Sequence, residues 1–354
     1  MLWKLTEEQE AYQDALRSWL GSVADPGQVR NWLDKGDRAT FEARFVSDGL
    51  AGVGFAEELG GQGGGMVELA LTAELFGRSA APSSWLATVL AVPALASRPD
   101  LAAAALAGAT ATVVVPAELP PDASPALELD AGGRVSGSVG RVLAADRATQ
   151  LIVCAELEGR RELRLVDATV DGVSVTEHGL LDRSRTVADV QFRQAASEPL
   201  DVDADAFLSE AAARAAVLVA ADSLGAAHRM LDLAVEYSLQ RKQFGVPIGS
   251  FQAVKHAAAT MLVAVEAARS VVYYAAASVE AGAEDHLLHA AAAKAQVTEE
   301  GVRVADSALT VHGAIGYTWE HDLHLYYKRA KLDEQLFGSP GLWNDRIADG
   351  LALL

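Results

Sequence analysis

The sequence predicts an α+β protein in which a helical domain, a small antiparallel β domain and a second helical domain follow one another. Residues 1–110 carry apolar side chains at helical spacing, whereas residues 111–198 form short alternating segments separated by glycine, aspartate and proline. Helical spacing then resumes over residues 199–354, which is enough chain for an antiparallel four-helix bundle. A length of 354 residues also exceeds what one core usually organises, so we expect these three domains.

Two helix signals and a glycine-rich segment define the N-terminal domain. The segment TEEQEAYQDALRSWL begins at Thr6, which is suited to cap a helix, and it has acids in its first turn. The segment GMVELALTAELFGRS repeats apolar residues at helical spacing. Between them, EELGGQGGG could form a flexible loop or cradle a phosphate ahead of a helix, although it spells neither standard phosphate-binding pattern.

The central segments predict strands of a β domain, and one of them contains the only cysteine. Cys154 lies in the apolar run QLIVCAEL, which indicates a buried strand thiol and excludes an intramolecular disulfide. The N-terminus is acidic and amphipathic rather than basic and then apolar, and the sequence shows no strongly apolar run of membrane-spanning length. We therefore expect a cytoplasmic protein that does not enter a membrane.

The charge balance limits the possible partners. The chain has 29 basic and 48 acidic residues and a net charge of −19, which opposes a broad surface for nucleic acid or anionic lipid. Any anionic ligand must therefore meet a local group of positive side chains. We predict no metal site.

The C-terminal domain is predicted as four helices, near residues 205–244, 250–281, 283–312 and 321–337. The sequence YSLQRKQFGVPIGSFQAVKH joins the first two. We expect Arg241 and Lys242 to lie at the end of the first helix, Gly245 to stop it, Pro247 to prevent its continuation and Ser250 to cap the next helix.

This corner brings together three side chains with complementary chemistry. Arg241 offers a guanidinium, Phe244 an aromatic face and Gln252 an amide, a set suited to a pyrophosphate, a stacked ring and a purine edge. The alternative interpretation is a capped helix turn with solvated basic residues.

Three segments resemble the acyl-CoA dehydrogenase family. They are RKQFGVPIGSFQAVKH in the corner, VHGAIGYTWEHDLHLYYKRAK near the end of the chain, and EELGGQGGGMVELALTAELFGR in the N-terminal domain. The order of the three domains is also similar, so the resemblance covers essentially the whole chain. It implies that the protein is an oxidoreductase of acyl-CoA thioesters with FAD as its cofactor.

In that family the corner reaches across a subunit interface to FAD. The resemblance implies that Arg241 binds the pyrophosphate, that Phe244 packs on the cofactor and that Gln252 meets its adenine end.

The segment TVHGAIG is similar to the family loop that holds the adenosine half of the same FAD, which implies Thr310, Gly313 and Ala314 as further contacts. Ala314 replaces a frequent glycine, and Thr310 stands where glutamine is common. We expect His312 to be a packed or capping histidine.

The carboxylate that removes the α-proton in this family is missing at both of its usual positions. The C-terminal loop position corresponds to Gly338, and the long-helix position, ten residues before Gly225, corresponds to Ala215. Ala216 follows where an arginine often lines the pocket. The segment VPAELPPDASPALELDAGG also departs from the family's T-E-x-x-x-G-S-D pattern, so the flavin-side half of the pocket is predicted to be lost.

Other acids are weak substitutes for the base. Asp222 lies seven residues after Ala215 on nearly the same helix face, and it is the fallback candidate, with a capping or packing role as the alternative. We expect Asp333 and Glu334 to form helix-surface pairs with Lys331 or Arg329.

The chain resembles the shorter, base-lacking subunit of actinobacterial steroid acyl-CoA dehydrogenases, which implies an α2β2 heterotetramer with a longer homologous subunit. That partner would supply the base and the acyl site, the substrate would be an acyl-CoA such as a sterol side-chain CoA, and an electron-transfer flavoprotein would accept the electrons. Two alternatives stay open, a self-sufficient homomeric dehydrogenase and an FAD-free interaction protein on the same fold.

Overall fold

The computed structural model describes residues 4–351. The N-terminal helices are α1 Glu7–Val23, α2 Pro26–Lys35, α3 Ala39–Ser47, α4 Met66–Ser79, α5 Trp85–Ala91 and α6 Pro99–Leu106. The predicted cap of α1 is confirmed, because the Thr6 hydroxyl accepts from the Gln9 amide and the Gln9 side chain accepts from the Thr6 amide. This reciprocal pair satisfies two of the free donors at the start of the helix.

The glycine-rich segment packs against the chain before it. The amide of Gly54 donates to the carbonyl of Gly63 at 2.8 Å, and Phe55 and Gly63 form an isolated bridge. The amide of Gly65 donates to Glu68, and the amide of Val67 donates to Glu280. Two carboxylates therefore cover the N-terminus of α4, and their negative charge opposes a phosphate at this position.

The β domain is one sheet packed beside the helices. Its strands are β1 Ala111–Val113, β2 Leu127–Leu129, β3 Arg134–Leu143, β4 Gln150–Leu157, β5 Arg160–Asp167, β6 Val173–His178, β7 Val187–Ala196 and β8 Glu198–Pro199. The strand order is β6-β7-β3-β2-β4-β5-β8, with β1 paired to β4. The domain was predicted as antiparallel, but β1 and β2 both run parallel to β4, so the sheet is mixed.

Strand β4 separates two hydrophobic cores. Leu151 and Val153 belong to the core of the β domain, whereas Ile152 and Cys154 face the larger core that the helices share. This alternation follows from the two-residue period of a strand. Cys154 is buried, as predicted, and burial raises the pKa of its thiol above the ordinary value.

The C-terminal domain consists of α7 Ala204–Gln240, α8 Gln252–Glu280, α9 His286–His312, α10 Leu323–Gln335 and α11 Pro340–Gly350. The predicted first helix extended four residues too far, because the chain leaves the helix at Arg241 rather than at Gly245. Ser250 does not cap α8, since its hydroxyl donates to the Pro247 carbonyl. Helix α11 was not predicted, although Pro340 at its first turn is a standard start signal.

Two glycines set the distance between the central helices α4 and α7. A Cβ atom at Gly77 would lie 1.9 Å from the carbonyl oxygen of Asp222, and one at Gly225 would lie 1.7 Å from that of Glu74. Only glycine allows the two backbones to approach this closely. The contact fixes where α7 places its buried side chains.

Helix α8 is long and apolar enough to cross a membrane by length and composition. In the structure it packs along α7 and α9 as a member of the bundle. Part of its apolar surface, including Leu262 and Val263, is exposed.

Candidate functional site

The corner between α7 and α8 is a small hairpin. Lys242 and Gln243 pair with Pro247 and Val246 in two antiparallel strands, β9 Lys242–Gln243 and β10 Val246–Pro247. The turn between them consists of Phe244 and Gly245, both with positive φ, of 53° and 83°. A positive φ is common for glycine but costs a phenylalanine free energy, and such strain is concentrated at functional positions.

The predicted corner residues point into solvent. Phe244 is 93% exposed, and its ring meets the edge of the Phe251 ring at a centroid distance of 6.2 Å. Within residues 4–351, the guanidinium of Arg241 has neither a hydrogen-bond nor an ion-pair partner. Gln252, the first residue of α8, is exposed as well. The corner therefore presents a free cation and a free aromatic face outside the chain.

The second predicted set lies at the same end of the bundle. Tyr237, in the last turn of α7, stacks on His312, the last residue of α9, with ring centroids 4.8 Å apart. His312 is buried, and its ring Nδ1–H donates to the Ala308 carbonyl at 2.7 Å, so it is a packed histidine as expected. Because α7 and α9 end side by side, the corner and the loop after His312 form one continuous region.

That loop is also exposed. Thr310 directs its hydroxyl to the carbonyl of Asp306, and Gly313 turns the chain out of α9 with a φ of 63°. Ala314 follows in a short 3₁₀ segment, Gly313–Tyr317. All six predicted cofactor residues are thus accessible at one end of the bundle. The guanidinium of Arg241 and the ring of Phe244 project away from the chain. An extended anionic ligand with aromatic parts can therefore contact them only from outside the chain.

The position that the sequence predicts to correspond to the family's C-terminal base, Gly338, is closed. A Cβ atom at Gly338 would lie 2.8 Å from Trp343 Nε1 and 3.1 Å from Pro120 Cγ, and Gly338 has a φ of 105°. The indole of Trp343 donates to the Phe337 carbonyl at 2.9 Å, and the Phe337 amide donates to the Ala117 carbonyl. A carboxylate side chain has no room at this position.

The space beside Gly338 is also nearly filled. The remaining cavity has a volume of about 10 Å³ and is lined by Phe337, Ala211, Pro121 and residues of β1 and α5. Ala215 and Ala216 are fully buried. A volume this small barely holds one water molecule, so no acyl thioester can enter here. The sequence predicted a missing base at Gly338 but gave no indication of Trp343 and Pro120, which fill the space around that residue.

Asp222 lies at the centre of a buried ion cluster. Its Oδ1 accepts from Arg329 Nε, and its Oδ2 accepts from Arg329 Nη2 and from Arg185 Nη2, each at 2.7 Å. Burial alone would raise the pKa of Asp222, but the charges of Arg185 and Arg329 hold the pKa below its ordinary value. A carboxylate bound this tightly is a poor proton acceptor.

Asp333 belongs to the same cluster, so the prediction of a surface pair was wrong. It is fully buried, and its Oδ1 accepts from Arg185 Nη1 at 2.6 Å. Burial, together with the negative charge of Asp222, raises the pKa of Asp333 well above its ordinary value. Arg329 is buried too, whereas Lys331 pairs with Asp306 at the surface. The contacts join residues far apart in sequence, so helix spacing gave no signal for them.

Lys294 connects this cluster to the closed site. Its ammonium is fully buried and donates to three carbonyl oxygens, those of Asp333, Glu334 and Gly338, at 3.0, 3.1 and 2.8 Å. Burial lowers the pKa of Lys294 to about 7. The nearby acids Asp333 and Glu334 act in the opposite direction and favour the ammonium. The lysine thus holds the segment containing Gly338 in place.

Family comparisons agree with this architecture. The model described as "Acyl-CoA dehydrogenase, N-terminal domain" matches residues 6–98, and that described as "Acyl-CoA dehydrogenase, C-terminal domain" matches residues 206–352. These ranges cover helices α1 to α5 and the bundle, including the corner and the Gly338 segment.

Two curated relatives from Mycobacterium tuberculosis span nearly the whole chain. Acyl-CoA dehydrogenase IpdE2 is 34% identical over 94% of this chain and 94% of its own length. Acyl-CoA dehydrogenase FadE34 is 32% identical over 98% of this chain, which corresponds to 48% of FadE34.

Solved structures share the fold over the same extent. The ChsE4-ChsE5 complex from Mycobacterium tuberculosis has a TM-score of 0.89 at 26% identity and covers 100% of both chains. The Tcur3481-Tcur3483 steroid ACAD G363A variant has a TM-score of 0.87 at 27% identity and covers 98% of both chains. The chain therefore belongs to the acyl-CoA dehydrogenase family, whose members are FAD-dependent.

Proposed function

We propose that this chain is the non-catalytic subunit of a flavin-dependent acyl-CoA dehydrogenase and that it completes the FAD site of a longer homologous subunit. The observation that carries the proposal is an asymmetry between the two candidate sites. The base position at Gly338 is filled by Trp343 and Pro120, whereas the corner containing Arg241 and Phe244 is exposed and unpartnered among the described residues.

The corner residues have the chemistry that a neighbour's cofactor needs. FAD, when bound, accepts the hydride from the β-carbon of the acyl thioester. Arg241 would hold the pyrophosphate through charge-assisted hydrogen bonds, and Phe244 would pack on the cofactor. Gln252 would meet the adenine end. The adenosine half would lie on the second segment, at Thr310, Gly313 and Ala314.

Exposed apolar side chains support a partner at this end of the bundle. Leu239, Val246, Tyr317 and Trp319 belong to the two segments that carry the proposed cofactor residues, and all are exposed. Apolar residues grouped in this way usually mark an interface. The similarity to the ChsE4-ChsE5 complex supports a homologous acyl-CoA dehydrogenase subunit as that partner, in an α2β2 assembly.

The partner would carry out the reaction. It would supply the carboxylate base and the acyl pocket, since Trp343 and Pro120 fill the space around Gly338 in this chain. The substrate would be an acyl-CoA, and similarity to a structure titled as a steroid ACAD supports a sterol side-chain CoA. An electron-transfer flavoprotein would accept the electrons in the cytoplasm.

A comparison of three preparations tests the proposal, namely this chain alone, the longer homologue alone and the two coexpressed. We expect acyl-CoA dehydrogenation only from the coexpressed complex. Replacing the partner's base carboxylate by its amide should reduce turnover by about 10² to 10⁴. Turnover by this chain alone would instead make it a homomeric dehydrogenase, and a stable but colourless, inactive complex would make it an FAD-free interaction protein.

A further inference from the structure

A second cavity lies away from the corner and from Gly338. It has a volume of about 440 Å³, within the usual range for small-molecule sites, and it lies between α3, α5 and the turn after α6. Phe45, Val46 and Leu106 give it an apolar wall, and the exposed Ala43 and Ala107 lie at its mouth.

Helix α5 separates this cavity from the small space beside Phe337. Ala87 and Leu90 line the 10 Å³ space beside Phe337, whereas Trp85 and Thr88 line the large cavity. Residues two apart on a helix differ by about 200° in direction, so these pairs face opposite sides of α5. The large cavity is therefore a separate site.

Two buried donors on its wall have no acceptor within residues 4–351. Trp85 is more than nine-tenths buried, and its Nε1–H has no hydrogen-bond partner. Arg147 Nη1 is buried and unpartnered as well, although Nη2 pairs with Glu42 at 2.6 Å. Buried N–H groups are rarely left without acceptors, which points to a ligand that provides them.

The neighbouring polar groups do not compete for these donors. Both oxygens of Glu42 already have partners, because Oε2 pairs with Arg147 Nη2 and Oε1 accepts from both the amide and the hydroxyl of Ser84. Its charge is balanced by Arg147, so the wall is close to neutral. Tryptophan and arginine can only donate, and the matching ligand group must therefore be an acceptor oxygen.

We propose that this cavity binds an apolar small molecule ending in a carboxylate or carbonyl oxygen, with the hydrocarbon against Phe45, Val46 and Leu106 and the oxygen on Trp85 and Arg147. The site is independent of the acyl and flavin chemistry of the assembly.

Calorimetric titration of the full chain, together with its partner where the two copurify, tests the site with three probes of equal chain length. Decanoate and 2-decanone distinguish a charged from a neutral acceptor, and decylammonium offers no acceptor. We expect one saturable site per chain for decanoate, 2-decanone or both, and no such site for decylammonium. Equal binding of all three probes, or no saturable site, would overturn the proposal.

Variants of this chain locate the site. Trp85→Phe removes the N–H but keeps a ring, and it should weaken binding about tenfold, the effect of one lost hydrogen bond. Trp32→Phe makes the same change at a buried tryptophan outside the cavity and should leave affinity within about twofold of the parent. Ala43→Trp fills the exposed mouth and should abolish binding. Parental affinity in both Trp85→Phe and Ala43→Trp would exclude this cavity.

Discussion

The guanidinium of Arg329 on α10 holds both carboxylate oxygens of Asp222 on α7, with two contacts of 2.7 Å inside the protein. Arg185, from the segment between β6 and β7, holds the same carboxylate and also Asp333. The cluster thus ties the β domain to the helix bundle. Its geometry makes Asp222 a structural group rather than a free base, because none of its oxygens is available without breaking a buried ion pair.

Asp222→Asn should therefore destabilise the chain without removing catalysis. Breaking a buried pair typically costs about 3 to 5 kcal/mol in the free energy of unfolding, since it leaves a guanidinium charge uncompensated. Urea unfolding would measure this loss, with Asp306→Asn at the exposed pair with Lys331 as the control. Turnover per bound flavin should stay within a few-fold of the parent complex. A hundredfold fall in turnover with intact stability and flavin content would make Asp222 the base.

The variant Asp333→Asn should behave differently. The raised pKa of Asp333 keeps its carboxyl protonated in the folded protein at pH values at which the same carboxyl is ionised in the unfolded chain. The stabilising contribution of that proton is complete below the unfolded pKa of about 4, and it is lost as the pH rises through the folded pKa. The amide keeps the bond to Arg185 and binds no proton.

The variant should therefore gain stability relative to the parent as the pH rises above about 4, by up to about 1.4 kcal/mol per pH unit. Urea unfolding of both proteins between pH 5 and pH 8 measures this difference. A stability difference that does not change with pH would contradict the protonated state.

Most of the fold could be predicted from the sequence, because its helices and strands follow local patterns. Thr6 indicates the start of α1, and the apolar run in QLIVCAEL indicates strand β4. The exit from α7 was misplaced because Gly245 suggested a helix stop, whereas the chain leaves at Arg241 and uses Phe244 and Gly245 as a hairpin turn.

The closed base position and the ion cluster depend on contacts between distant segments. Pro120 meets Gly338 across more than two hundred residues, and Asp222 lies 107 residues from Arg329. Helix periodicity describes the face of one helix and carries no signal for such pairs. The glycine at position 338 was visible in the sequence, but the side chains of Trp343 and Pro120 that crowd it were not.

Gly338→Glu should not restore a base. The new side chain would collide with Trp343 and Pro120, and a φ of 105° is unfavourable for any residue other than glycine. We expect a loss of about 2 kcal/mol or more in the free energy of unfolding, and no turnover by the single chain. Gly338→Ala should show a similar loss, while Gly341→Glu, at an exposed position three residues later, should be near neutral. A stable Gly338→Glu chain that gains turnover would contradict the closed site.

Arg241→Ala should lower the flavin affinity of the complex. One charge-assisted contact to pyrophosphate contributes about 1.5 to 3 kcal/mol, so the dissociation constant should rise about 10- to 100-fold. Lys242→Ala removes the adjacent exposed cation and is the matched control, with little expected effect. Flavin fluorescence during dilution measures retention. If both variants release FAD at the parental rate, the corner is only a capped turn with solvated basic residues.

The number of FAD molecules per chain in the copurified complex shows whether this chain completes a partner's FAD site or holds its own FAD. Flavin absorbance after denaturation, divided by the amount of each subunit from quantitative amino-acid analysis, gives this ratio. Because the proposed function assigns this chain only the outer half of a cofactor site, we predict fewer FAD molecules than chains. A homomer of this chain alone that carries one FAD per chain would contradict it.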